Sequence, residues 1–135
     1  MFTSSVKLRI RYAETDKMGF CYYGNYAQFF EVARVEMLRE LGVSYKEMED
    51  DGVLLPVIHF SVNYHKPAFY DEEITVTCKV NKMPGVRITF HYETFNASNE
   101  RLNDAQTDLI FLDQKLNKPV RPPQYIIDSF KPYFS

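Results

Sequence analysis

The sequence predicts an α+β domain in which one five-stranded antiparallel sheet wraps around a single long helix. Three observations carry that expectation. Only residues 25–41 hold apolar side chains at three- and four-residue spacing for long enough to make a long helix. Five other stretches alternate apolar and polar residues, the period of a strand with one buried face. The 135 residues are 45% apolar and 25% charged, which supports one core and one domain spanning 1–135.

The first strand is expected over 6–12, with Val6, Leu8, Ile10 and Tyr12 on the buried face and Lys7, Arg9 and Arg11 opposite. Tyr12 should therefore point toward the core and the loop that follows. That loop, 14–24, holds Asp16 and carries Gly19 and Gly24 for backbone freedom. The long helix starts at Gly24 or Asn25, either of which is an acceptable N-cap. Tyr26, Phe29, Phe30, Ala33, Met37, Leu38 and Leu41 form its stripe, and Gly42 stops it about 25 Å on, at ~1.5 Å per residue. Ser44 with Glu47 reads as a capping box for a short helix that Gly52 ends.

Four more strands follow. The second buries Leu54, Ile58, Phe60, Val62 and Tyr64, leaving His59, Ser61, Asn63 and His65 opposite; the third buries Ile74, Val76, Cys78 and Val80. The fourth buries Val86, Ile88, Phe90 and Tyr92, and the fifth, over 102–112, Ala105, Thr107, Leu109 and Phe111. Pro122 and Pro123 lead into a terminal helix over 125–130. The last four strands are expected as consecutive antiparallel neighbours with the first strand returning beside them. Open sheet edges and a polar outer face suggest a homodimer or homotetramer.

Composition excludes several function classes. Net charge is −2 with acids and bases interspersed, so no nucleic acid partner is expected. The N-terminus lacks an apolar secretory core, and the longest apolar stretch, 53–58, is broken by Pro56, so no integral membrane segment is expected. Two cysteines make no disulfide framework and fit a cytoplasmic protein. His59, His65 and His91 match no ligand spacing, so neither metal nor cofactor is expected. Ten Tyr and eleven Phe suit both a β-rich core and half-wet ligand tunnels or interfaces.

Chemistry concentrates where Asp16 precedes the helix start, since a carboxylate there neighbours free backbone N–H donors and the positive end of a helix dipole. The residues around it, Arg11-Tyr12-Ala13-Glu14-Thr15-Asp16-Lys17-Met18-Gly19, then Tyr22-Tyr23-Gly24-Asn25-Tyr26 and Phe30-Glu31-Val32-Ala33-Arg34, resemble the hotdog-fold thioesterases. The 4-hydroxybenzoyl-CoA thioesterase-like group, which includes the Tol-Pal-associated acyl-CoA thioesterases, is the nearest match. Asn63-Tyr64-His65-Lys66-Pro67-Ala68 and Asp71-Glu72 extend it.

The resemblance implies an acyl-CoA substrate and a hotdog fold. It also implies a catalytic carboxylate at Asp16, a backbone N–H at Tyr23 that polarises the thioester carbonyl, and a site Tyr at Tyr12. Position 23 carries Tyr where many relatives carry His, which leaves the backbone group in play. Asp16 would serve as nucleophile or as general base. Gly24, Asn25 and Tyr26 at the helix start, Asn63 on the second strand and Lys66 just after it are the expected substrate-binding residues. Lys66, Lys82, Arg87 and Arg101 are candidates for the phosphates of CoA.

Plainer readings stand beside these. Asp16 could simply bond its own loop. Glu31, the rival carboxylate, could pair with Arg34 one turn on. Glu14 reads as a solvated turn charge. Cys21 near the helix start could be a nucleophile, but no His is placed to activate it. The alternatives in function are a carrier-protein-linked acyl substrate and a non-catalytic acyl-binding or scaffold protein.

Overall fold

A computed structural model describes residues 1–134. Strand β1 (Phe2–Arg9) leads through a loop into helix α1 (Tyr26–Glu40) and then α2 (Tyr45–Asp50). Strands β2 (Val53–Leu54), β3 (Val57–Tyr64), β4 (Glu73–Val80), β5 (Arg87–Phe95) and β6 (Arg101–Ile110) follow. Short strands β7 (Leu112–Asp113) and β8 (Lys118–Pro119) precede the terminal helix α3 (Gln124–Phe130).

The five long strands form one antiparallel sheet in the order β1-β4-β5-β6-β3, and β2, β7 and β8 form a small second sheet. This corrects the expectation that the last four strands neighbour one another in sequence. The β3–β4 connection crosses the end of the sheet instead. It leaves β3 with the N–H groups of His65 and Lys66 donating to Leu102 O, and it reaches β4 with Asp71 N–H donating to Ile10 O. β3 thereby becomes the edge opposite β1. The expected second strand also splits at Leu55-Pro56, where the chain leaves the small sheet for the large one.

The long helix buries Tyr26, Phe29, Phe30, Ala33, Met37 and Leu38, as its spacing predicts. Phe30 stacks on Tyr92 of β5 with ring centroids 4.5 Å apart. The apolar positions of β4 are fully buried, as are Ile88, Phe90 and Tyr92, whereas Val86 lies just before β5 and is exposed. Because α1 packs chiefly over β1 and β4, it leaves the β3 side thinly covered. Ile58, Phe60 and Tyr64, expected in the core, are consequently exposed, as is Val57.

Gly42, at φ +83°, ends α1: Val43 N–H donates to Leu38 O at 2.8 Å and Gly42 N–H to Arg39 O at 3.0 Å, a Schellman closure. Ser44 Oγ accepts from Glu47 N–H at 3.2 Å and caps α2. No described helix is long and apolar enough to cross a membrane.

Candidate active site

Two turns of backbone and the β3–β4 crossover build the site. β1 stops at Arg9, and the chain turns through a 3-10 segment, Tyr12–Glu14. The expectation that Tyr12 points coreward is therefore overturned. Ile10 exchanges bonds with Glu72 and Asp71 rather than extending the strand, so the two-residue alternation lapses. Tyr12 is 77% exposed, and its ring meets that of Tyr70 edge-on, with centroids 5.6 Å apart.

Glu14, expected as a solvated charge, is buried. Its carboxylate accepts from Arg11 N–H at 2.7 Å and from the Arg11 guanidinium at 3.1 Å. Its carbonyl accepts Tyr22 N–H and the Asn25 side-chain amide, both at 2.8 Å. One residue thus ties the loop's entry to the helix start. Asn25 holds the N-cap position of α1, but with helical dihedrals and no side-chain cap bond; its amide serves as a clamp instead.

Asp16 lies at the tip of the loop. Its N–H donates to Phe20 O at 2.9 Å, and Gly19, at φ +81°, closes the turn by donating to Asp16 O at 3.0 Å. Asp16 Oδ1 accepts Met18 N–H at 2.9 Å and Phe20 N–H at 3.3 Å. Among the described residues no hydrogen bond falls on Oδ2. The plain turn-forming role and a free carboxylate oxygen coexist in one side chain. Cys21 N–H donates to Ala68 O at 2.8 Å, which fastens the loop to the crossover.

Tyr22 is extended, and Tyr23–Asn25 is a 3-10 turn that runs into α1. Neither Tyr23 N–H nor Gly24 N–H has an acceptor among the described residues, as expected for the first donors of a helical segment. Gly24 leaves room for the Tyr22 ring, whose Cε2 would stand 2.7 Å from a Cβ at this position. The Tyr64 hydroxyl donates to Tyr23 O at 3.3 Å and so pins this turn to the edge strand.

These elements enclose a cavity of about 260 Å³ walled by Asp16, Met18, Phe20, Cys21, Tyr23 and Tyr26, together with residues 64–67. Of the sequence-derived site residues, Asp16, Tyr23, Tyr26 and Lys66 reach it. Gly24 and Asn25 sit in the turn behind it. Tyr12 lies outside, and Asn63 faces the outer side of the sheet, where its amide donates to Asp104 at 3.0 Å. Sequence reasoning missed Tyr64, Met18, Phe20 and Pro67 as walls. Tyr64 and Pro67 stood inside the second matching stretch, which was the available signal.

Burial, with the Glu14 charge behind it, pushes the Cys21 thiol up to about 11, so it stays protonated at neutral pH and is a poor nucleophile. Burial likewise raises Tyr26 well above the usual tyrosine range. Lys66 at the mouth pairs with Glu100, and that contact holds the Glu100 carboxyl below its ordinary value. Arg101 pairs with Glu93 and Asp104, while Lys82 and Arg87 line a groove on the outer sheet face. The expected pairing of Glu31 with Arg34 is absent: Glu31 is exposed and Arg34 is buried without it. Among the described residues no cluster of His, Cys, Asp and Glu could hold a metal.

Comparison with known proteins places this geometry in context. The family model described as "Thioesterase superfamily" matches residues 18–102. YneP of Bacillus subtilis is 34% identical over 90% of this chain and 88% of its own length. The acyl-CoA thioester hydrolase YbgC of Escherichia coli is 32% identical over 92% of each chain. A solved DHNA-CoA thioesterase from Staphylococcus aureus is 41% identical with a TM-score of 0.91, covering 98% of this chain and 89% of that one.

Proposed function

The chain belongs to the thioesterase superfamily and is a thioester hydrolase of the hotdog fold, and from that premise we propose that it hydrolyses acyl-CoA at the Asp16 cavity. The reaction takes acyl-CoA and water to a carboxylic acid and free CoA. The observation that carries this reading is the shared wall: Asp16, with Oδ2 free, and Tyr23, with its N–H free, border the same cavity.

The chemistry follows from those two groups. As the thioester carbonyl is attacked, negative charge grows on its oxygen, and the Tyr23 N–H at the positive end of α1 stabilises it. Removing a donor of this kind from other enzymes costs about 3–4 kcal/mol in the transition state. Asp16 acts from the wall of the same cavity. As nucleophile it forms a mixed anhydride and expels the CoA thiolate; as base it takes a proton from the attacking water. Oδ1 stays bound to the loop in either case, so the carboxylate is held in place for Oδ2 to react. Tyr23, Tyr26, Tyr64 and Phe20 offer flat faces to the acyl group, which favours a planar aromatic acyl over a long flexible one. The Staphylococcus aureus relative named for DHNA-CoA is consistent with an aromatic preference.

The active form is a homodimer in this reading. β3 is an edge strand with Val57, Ile58 and Phe60 exposed, and pairing two copies along it buries those side chains and closes the thinly covered side of the cavity.

The test is thiol release from a panel of short, long and aromatic acyl-CoAs by the wild type and by Asp16→Asn. The expected outcome is a loss of at least 100-fold in kcat with a normal thermal melt. An Asp16→Asn protein that works at the wild-type rate removes Asp16 from the mechanism. Rapid-quench mass spectrometry separates the two roles, since only the nucleophile acquires an acyl group. Replacing CoA by an acylated carrier protein tests the carrier-linked substrate.

A further inference from the structure

The crossover 65–72 carries walls of the Asp16 cavity, yet it belongs to neither strand that it joins. Backbone bonds hold it at three places. The N–H groups of His65 and Lys66 share one acceptor, Leu102 O, at 2.8 and 3.0 Å. Ala68 O accepts Cys21 N–H, and Asp71 N–H donates to Ile10 O, both at 2.8 Å. Where the crossover leaves β3, a single carbonyl serves two donors, so side chains must share in fixing that end.

Two side-chain contacts do so. Lys66 pairs with Glu100, and His65 Nε2 stands 2.6 Å from Asp104 Oδ2 on β6. A carboxylate only accepts, so the imidazole N–H is the donor. The Asp104 carboxylate is itself held: the Asn63 amide donates to Oδ1 at 3.0 Å, and the Arg101 guanidinium stands 3.8 Å from Oδ2. β6 lies one strand in from the free β3 edge, so pairing a second copy along that edge leaves the His65–Asp104 bond in place.

From His65 the path to Asp16 is short. Phe69 and Phe20 form an antiparallel bridge, and their rings meet edge to face at 5.4 Å. Beside them Cys21 N–H bonds Ala68 O. Phe20 then bonds Asp16 twice: its carbonyl accepts Asp16 N–H at 2.9 Å, and its N–H donates to Asp16 Oδ1 at 3.3 Å. The loop therefore takes its position from the crossover, and the crossover takes its own from β6.

We propose that His65 is a positioning residue for thioester hydrolysis: its bond to Asp104 sets the crossover against β6 and, through Phe69 and Phe20, fixes the direction in which Asp16 Oδ2 points. The catalytic consequence rests on the function proposed above; the mechanical link from His65 to the loop does not. The pair is partly exposed and adds little to global stability. Placement is a stricter demand, because a shift of about 1 Å at a reacting group can cost on the order of 100-fold in rate.

The test compares His65→Ala, His65→Gln and Asp104→Ala with the full-length wild type, with Ser44→Ala as a variant destabilised elsewhere. Amide exchange over residues 16–22 is followed by mass spectrometry, and thiol release is assayed beside it. His65→Ala should speed that exchange about threefold or more and lower kcat roughly tenfold with KM little changed. His65→Gln keeps an N–H donor of similar reach and should restore both. Asp104→Ala breaks the same bond from β6, which covers the case in which His65→Ala fails to fold, and the double variant should be no slower than the poorer single one. Ser44→Ala should lose stability and change neither readout. Exchange over 16–22 that stays at the wild-type rate in His65→Ala overturns the link, whatever the substrate. Faster exchange with an unchanged kcat, or a kcat that falls as far in Ser44→Ala, overturns the role in catalysis. Asp16→Asn separates the two failures: thiol release that survives in it removes the proposed function, whereas release lost there but kept in His65→Ala removes only the positioning role.

Discussion

Asp16 divides its carboxylate between two tasks, and the division predicts how its variants differ. Asn keeps an oxygen that can accept from Met18 and Phe20, so Asp16→Asn should lose activity and keep stability. Asp16→Ala removes the acceptor of two backbone donors, and at about 1 kcal/mol for each bond the loop should loosen and the melt should fall measurably. Tyr64 is a positioning residue by the same kind of reasoning. Its hydroxyl holds the Tyr23 carbonyl, and Tyr64→Phe deletes that bond while keeping the ring. A neutral hydrogen bond worth about 1 kcal/mol implies a roughly fivefold drop in kcat with KM little changed. The Cβ of Gly24→Ala would displace the exposed Tyr22 ring rather than backbone, so chemical denaturation should show only a small loss.

At the scale of elements, α1 is set by its two ends more than by its middle. Its start is shaped by Glu14 and Asn25, its finish by Gly42. Gly42→Ala forces an L-residue to φ +83°, and a cost of about 1 kcal/mol is expected in a urea titration. Ser44→Ala removes the acceptor for Glu47 N–H and should cost a similar ~1 kcal/mol. The stripe of α1 was legible in the sequence because apolar spacing reports the buried face directly. Arg34 was not, although its spacing, four after Phe30 and three before Met37, puts it on that stripe, because a charged side chain reads as solvated until the sheet is folded over it. Asn63 was misread for a related reason. The alternation put it on a polar strand face, correctly, but only the register of β3 against β6 sets it opposite Asp104.

For the whole molecule, the unpaired β3 edge predicts assembly. Sedimentation should give a dimer, and Phe60→Asp should yield a monomer with reduced thiol release. Acid stability is the second global property. Hydrogen bonds from Asn63 and then His65 hold the Asp104 carboxyl below its ordinary value of 3.8. A carboxylate depressed in the folded state contributes stability that is present above the unfolded pKa and is lost as pH falls through the folded one. Asn63→Ala should therefore lower the urea midpoint at neutral pH and flatten its decline below about pH 4. A midpoint unchanged across that range removes Asn63 from the account.

The sequence by itself determined the long elements and their order, the helix stripe, the turn holding Asp16 and the family to which the chain belongs. These are local properties: spacing, caps and glycines act over a few residues and are written in consecutive letters. Tertiary structure alone decided that β3 crosses to the far edge, that Tyr12 leaves the site and Tyr64 enters it, and that Arg34 is buried without an acid. Each depends on which distant segments meet, and the crossover of 65–72 from Leu102 to Ile10 decides that through hydrogen bonds between residues dozens of positions apart.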